Sequence, residues 1–479
     1  MIPPVILWFR QDLRLHDNPA LMAALETKHP IIPLYILDET PSLTLGGASR
    51  WWLHHSLSAL DQSLQATGAK LVLRRGTAKE ILQQLVAQTG AQHVFWNRRY
   101  DTTGIAIDKE IKENLLSTGI NCESFNSHLL FEPWTIKNKQ GKPFQVFTSF
   151  WNHCLGQGKV PKPLPRPQQV NGMKLPSDVL ETWALLPTKP DWAHGLRESW
   201  QPGEVAATAK LQKFLEHSMA SYKDDRNFPD LKATSRLSPH LRWGEISPKA
   251  IYYEVMRTLQ GMPGEEPGGY NFLSEIGWRE FSYHLLFHFP EMPTISLRPQ
   301  FRDFPWREDE ALFTLWAKGL TGYPIVDAGM RELWHTGWMH NRVRMIVASF
   351  LTKDLLLPWQ KGASWFWDTL VDADIANNSA SWQWVSGCGV DAAPYFRAFN
   401  PVLQGEKFDP EGEYVRHWIP ELKNLPNEVV HQPWKASPQI LKTADVELGA
   451  TYPKPIVDHD KARKIALEVF RELSVNIIN

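Results

Sequence analysis

The first 130 residues alternate two kinds of stretch, and this alternation constrains the fold more than any other feature. Short runs apolar on both faces, Val5–Phe9, Ile31–Leu37, Lys70–Leu73, His93–Trp96 and Ile120–Phe125, are separated by helical patterns at Ala20–Leu25, Trp51–Leu64, Ala78–Val86 and Ile105–Leu115. A strand apolar on both faces needs cover on both, and strands alternating with helices pair in parallel. The pattern predicts five parallel strands in a doubly wound, nucleotide-binding-like α/β domain. The turn after the first strand reads Arg10-Gln11-Asp12-Leu13-Arg14 without GxGxxG, so a standard dinucleotide site is not expected there.

Beyond residue 130 the pattern changes. Residues 131–205 read as an irregular linker, and Lys159 to Pro167 within it is a proline-rich, extended connector. From 206 to 479 strand signals nearly vanish, and helical periodicity appears at 206–220, 270–288, 309–318, 325–357 and 460–474. A chain of 479 residues exceeds what one core serves. The expected organisation is an α/β domain over 1–130, a long linker over 131–205 and an all-α domain over 206–479.

Composition narrows the function. At 43% hydrophobic and 22% charged residues the chain is globular. No apolar run approaches the roughly 20 residues that span a bilayer, and the N-terminus lacks a basic leader region. Cys122, Cys154 and Cys388 show no metal-type or disulfide-frame spacing, which suits a reducing cytoplasm and predicts no metal. A net charge of -1 means that any nucleic-acid surface must be a local basic patch. Tryptophan is abundant, at 22 residues, and clusters between Trp278 and Trp384. Core packing is its usual use, so stacking or electron transfer stays an open alternative.

Four segments could carry chemistry. In Thr234-Ser235-Arg236-Leu237-Ser238-Pro239, Ser238 reads as an N-cap with Pro239 at N1, and the hydroxyls with Arg236 suit either an ordinary capped helix or a phosphate. In Asn271–Phe281, Glu275, Trp278 and Arg279 fall within one helical turn, where a Glu–Arg pair is ordinarily a weak surface ion pair. Around Gly337–Met345, Trp338, Asn341 and Met345 share one face of an expected helix, beside Arg344. They fit either a buried stripe or a pocket for a flat, partly polar ligand. In Asp372–Asn378, Asp372, Asp374, Asn377 and Asn378 suit a helix cap, an arginine or a polar heterocycle. Gly387-Cys388-Gly389 follows a helical stretch, not a strand, and is set aside as a dinucleotide motif.

Together these segments, in this order, resemble the photolyase/cryptochrome family over essentially the whole chain, most like its bacterial class I cyclobutane pyrimidine dimer photolyases. Trp8-Phe9-Arg10-Gln11-Asp12-Leu13-Arg14 with Asp17-Asn18-Pro19-Ala20-Leu21 is similar to the family's opening signature. The resemblance implies an N-terminal antenna domain and a helical FAD-binding domain. It places Tyr222, Thr234, Ser235, Arg236, Leu237 and Ser238 on the FAD phosphates and ribityl chain. Arg279, Asn341, Arg344, Asp372, Asp374 and Asn378 would surround the flavin ring, with Asn378 facing N5. Trp382, Trp359 and Trp306 match the family's electron-transfer chain, whereas Trp316, Trp365 and Trp367 read as core. Relatives specific for (6-4) photoproducts carry histidines at the positions of Asn341 and Met345, so a dimer-specific repair enzyme using anionic reduced FAD is implied. A cryptochrome-type light receptor is the alternative. Trp278 and Trp338 would clasp a flipped-out dimer in UV-damaged DNA, with Met345 against it and Glu275 on its base edge. Arg226, Arg342 and Arg397 match phosphate-contacting positions. Arg10, Asp38 and Arg50 resemble an antenna site for a deazaflavin or flavin; the family's folate motif does not follow Trp96–Asp101, and an empty site is the rival. A cytoplasmic monomer is expected.

Overall fold

The computed structural model describes residues 2–40, 44–158, 160–261, 267–395 and 397–476. All five expected strands form, as β1 (Val5–Phe9), β2 (Ile31–Asp38), β3 (Val72–Gly76), β4 (His93–Asn97) and β5 (Asn121–Phe125). They pair in parallel in the order β3-β2-β1-β4-β5, with Val5 opposite both Ile31 and His93. Helices α1 (Pro19–Glu26), α2 (Gly47–Gln65), α3 (Ala78–Thr89) and α4 (Thr102–Ser117) cover both faces, over two separate cores. The strand order reverses direction at β1, and in such sheets the crevice beyond the strand ends at that point is where ligands bind.

Residues 131–205 are less irregular than expected. Phe147–Gly156 is a helix, and its Phe150, Trp151 and Cys154 are buried. The proline-rich stretch is extended and tied down, Leu164 exchanging hydrogen bonds with Asp17 at 3.0 Å in each direction; Lys159 lies outside the described residues. Further on the linker bonds to Ile31 through Asn171 and Met173.

Among the described residues the remainder is helical apart from irregular connections, such as that between His288 and Glu310, and isolated bridges. The elements that build the site are α5 (Ser238–Arg242), α6 (Pro267–His288), α7 (Pro324–Thr336), α8 (Asn341–Ser349), α9 (Trp359–Thr369) and α10 (Ile375–Ser386). Two expectations are corrected. The segment 325–357 is not one helix: Gly337 adopts φ +66 and closes α7, and His340 caps α8 by accepting from the Arg342 amide. Trp338 therefore lies in a turn. Ser238 is not the N-cap of α5; Leu237 holds that position and the Ser238 hydroxyl is engaged elsewhere. At five residues α5 also has too little aligned dipole to act as a phosphate site by itself. No helix among the described residues is long and apolar enough to cross a membrane.

Candidate functional site

A cavity of about 580 Å³ opens between α5, α6, α8, α10 and the Leu370–Asp374 loop. All the expected cofactor residues line it: Tyr222, Thr234 to Ser238, Arg279, Asn341, Arg344, Asp372, Asp374 and Asn378. So do Glu275, Trp278, Trp338, Met345, Trp382, Arg226 and Arg342. Trp306, Trp359 and Arg397 lie outside its wall.

Asp372 is the hub of one polar chain. Arg344 donates to both its oxygens at 3.2 and 2.8 Å, and the Ser238 hydroxyl donates at 2.6 Å. Trp338 donates its indole N–H to that same hydroxyl at 3.2 Å. This corrects the expected clasp. Trp338 is 8% exposed, with the Arg236 and Arg344 guanidinium carbons 4.5 and 5.8 Å from its ring centre, so it braces the wall instead of offering a free stacking face. Arg236 also lies 4.6 Å from the Trp200 ring and holds a φ of +51, a conformation that costs a side-chain-bearing residue of order 1 kcal/mol.

Glu275 does not pair with Arg279. It meets Arg226, which also donates to Asn271 Oδ1 at 2.9 Å. Arg279 turns into the protein, donating to the His128 carbonyl at 2.8 Å and to His128 Nε2 at 2.7 Å. Burial, then the charges of Arg279, Arg242, Arg14 and Arg99, push His128 well below the usual histidine range. It stays neutral, so Nε2 accepts from Arg279. The Tyr283 hydroxyl lies 2.7 Å from that nitrogen and donates its proton to Asp374. Asp374 caps α10 through the Asn377 amide at 2.9 Å, so the capping and polar-pairing alternatives hold together.

Trp278 is stacked on Phe147 at 3.8 Å and 10° between planes, which covers one face and directs the other to the cavity. Trp384, absent from the expected site, also lines the wall. Asn378 donates to the Ala363 carbonyl at 2.9 Å, fixing its orientation. Trp382 is buried, and Gly362 makes room for it: a Cβ there would overlap Cη2 of its ring. Trp359 is fully buried and donates to Ser296 Oγ at 3.2 Å, and Trp306 is half-buried against Phe304 at 4.2 Å. Trp316 is core, as expected, and packs 6.3 Å from Trp382. Trp365 and Trp367 are half-buried and pack against the same core, Trp365 also stacking on the exposed Trp334 and Trp367 donating to the Thr44 carbonyl.

The wall fits a dinucleotide carrying a heterocycle. Arg236 Nε and Trp382 Nε1 are buried there without an acceptor, and carboxylates, amides and guanidinium groups converge on one apolar-floored space. His128, Tyr283 and Trp384 were missed by motif reading. His128 lies after β5, outside any recognised segment, and Tyr283 carries no spacing signal beyond its place on α6.

A second cavity of about 290 Å³ sits beyond the strand ends and is lined by Arg10, Asp38 and Arg50. Arg10 is held by Asp108, at 2.5 and 2.9 Å, and by the Asn97 carbonyl. Arg50 donates to the Ala184 carbonyl at 2.7 Å, and Asp38 accepts from Thr40.

Residues 5–168 match a family model described as DNA photolyase, and residues 272–472 one described as FAD binding domain of DNA photolyase. A curated deoxyribodipyrimidine photo-lyase from Agrobacterium fabrum is 51% identical, over 98% of this chain and 97% of its own length. Cryptochrome-1 of Arabidopsis thaliana is 39% identical over 96% of this chain and 69% of its own. The crystal structure of a bacterial class III photolyase from Agrobacterium tumefaciens superposes with a TM-score of 0.96 at 51% identity, covering 99% of this chain and 98% of that one. The class I expectation is thereby corrected: the similarity at this level is to class III. The chain belongs to the DNA photolyase/cryptochrome family.

Proposed function

We propose that this protein splits cyclobutane pyrimidine dimers in DNA, driven by blue or near-UV light, with FAD in the larger cavity. The observation that carries the proposal is one cavity wall bearing both a flavin-type polar set, Arg344–Asp372 and Asn378, and a free aromatic face at Trp278 beside Glu275 and Met345. Bound FAD in its anionic reduced form would supply a photoexcited electron that opens the dimer and would take it back after cleavage, so that no net oxidation or reduction results. The chain's own groups do the rest. Trp278 stacks on the extruded lesion, a contribution of about 1–3 kcal/mol per base, and extrusion of the target base is the known behaviour of photolyases. Glu275 accepts from the base edge, and Arg226 holds its carboxylate in place. Met345 and Asn341 leave no histidine to serve a (6-4) lesion. Trp382, Trp359 and Trp306 would relay electrons one at a time from an external reductant at the surface to oxidised flavin, two electrons and a proton restoring the reduced form. Each indole loses an electron and regains it from the donor behind it. Arg342, with the exposed Arg397, meets the phosphates, whereas Arg226 is already committed to Glu275. The second cavity takes a deazaflavin or flavin antenna. The protein works as a cytoplasmic monomer.

The test is light-dependent recovery of 260 nm absorbance from an oligonucleotide carrying one thymine dimer, using reduced protein against a dark control. Recovery supports the proposal. Its absence, with flavin bound and photoreducible, refutes it in favour of a cryptochrome-type receptor, the reading that the identity to Cryptochrome-1 keeps in view.

A further inference from the structure

Arg242, at the end of α5, is the one residue among those described that is shared by the walls of both cavities. It is 5% exposed. Its Nε donates to the carbonyl of Ala373, the residue between Asp372 and Asp374, while Nη1 is buried without an acceptor. Its guanidinium carbon sits 4.8 Å from the Trp243 ring, in the wall of the second cavity. No ion pair among the described residues includes it: Asp372 is committed to Arg344, and Asp374 to Tyr283 and the α10 cap. The other arginines of the second cavity all have partners, Arg10 with Asp108, Arg75 with Glu39, Arg99 with Asp101 and Arg50 with a carbonyl. A guanidinium buried without a counter-charge is costly, and the cost is recovered when a ligand brings negative charge within range.

We infer that Arg242 couples the two cavities, because one positive charge serves both. An anionic planar ligand in the second cavity neutralises it and so weakens the larger cavity's preference for anionic reduced FAD over neutral-ring oxidised FAD. By linkage the effect is reciprocal: reducing the FAD weakens binding of the anionic ligand in the second cavity. The inference rests on the proposal that the second cavity accepts a flavin-type chromophore.

The experiment uses the FAD-loaded full chain, with FMN as the anionic probe and riboflavin as its uncharged counterpart. Binding is followed by fluorescence, and the FAD midpoint potential is measured with and without each probe. FMN is expected to lower the reduced-over-oxidised preference about tenfold, which is about 30 mV for a two-electron couple, and riboflavin to leave it unchanged. Arg242→Gln is expected to lower the potential without any probe and to abolish the FMN effect, and Arg242→Lys to retain it. FMN binding without a shift, or an equal shift in Arg242→Gln, overturns the coupling while the antenna proposal stands. Failure of FMN and riboflavin alike to bind overturns both, and leaves dimer repair to its own assay.

Discussion

Replacing Glu332 by glutamine isolates one buried carboxyl beneath the pocket wall. Its Oε2 accepts from the Tyr414 hydroxyl at 2.7 Å and from the His340 amide at 3.2 Å. A single glutamine oxygen reproduces both bonds. Burial pushes the Glu332 carboxyl up to about 7 from 4.5, against the lowering pull of those bonds, Arg236 and Arg344. The raised acid binds its proton more tightly folded than unfolded, so its contribution is fully present below the unfolded value. It is lost as pH rises from about 4.5 through about 7. The whole loss is about 3 kcal/mol, of which about 2 kcal/mol falls between roughly pH 5.5 and pH 8.5. Glu332→Gln has no such titration. Its stability relative to the parent should therefore rise by about 2 kcal/mol between those two pH values. Urea titrations of both flavin-free proteins at each pH, followed by tryptophan fluorescence, give the difference. A variant-minus-parent value identical at both pH values would refute the assignment of a protonated, buried Glu332.

Gly362→Ala puts a methyl group into the Trp382 ring. Overpacking of this kind costs about 1–3 kcal/mol, and blue-light bleaching of the oxidised flavin should slow while FAD still binds. Trp278→Ala removes the exposed stacking face, and titration with dimer-containing oligonucleotide should show affinity reduced by about 1–3 kcal/mol, with undamaged DNA unaffected. Arg342→Gln should weaken binding to damaged and undamaged DNA alike. The slope of log affinity against log salt should become shallower by about one unit if one phosphate contact is lost; an unchanged slope would remove Arg342 from the DNA surface.

The sequence by itself determined the five-stranded parallel sheet, the helical character of the second half and most of the pocket's membership. These are local properties: side-chain period shows which faces are covered, and β1 matches its expected run residue for residue. The tertiary structure alone decided who pairs with whom. Glu275 has Arg279 one turn away on its own helix, yet it meets Arg226 across 49 residues, because Arg279 is drawn inward by His128 across 151. Trp338 looked like part of a helical stripe; Gly337 breaks that helix, and the Arg236 and Arg344 guanidinium carbons lie 4.5 and 5.8 Å from the ring centre. The role of Arg242 was equally hidden, since a shared wall exists only once a sheet domain and a helical domain are packed together. Periodicity records what each residue needs to bury, whereas a buried charge is answered by whichever partner the fold brings within reach, at any distance along the chain.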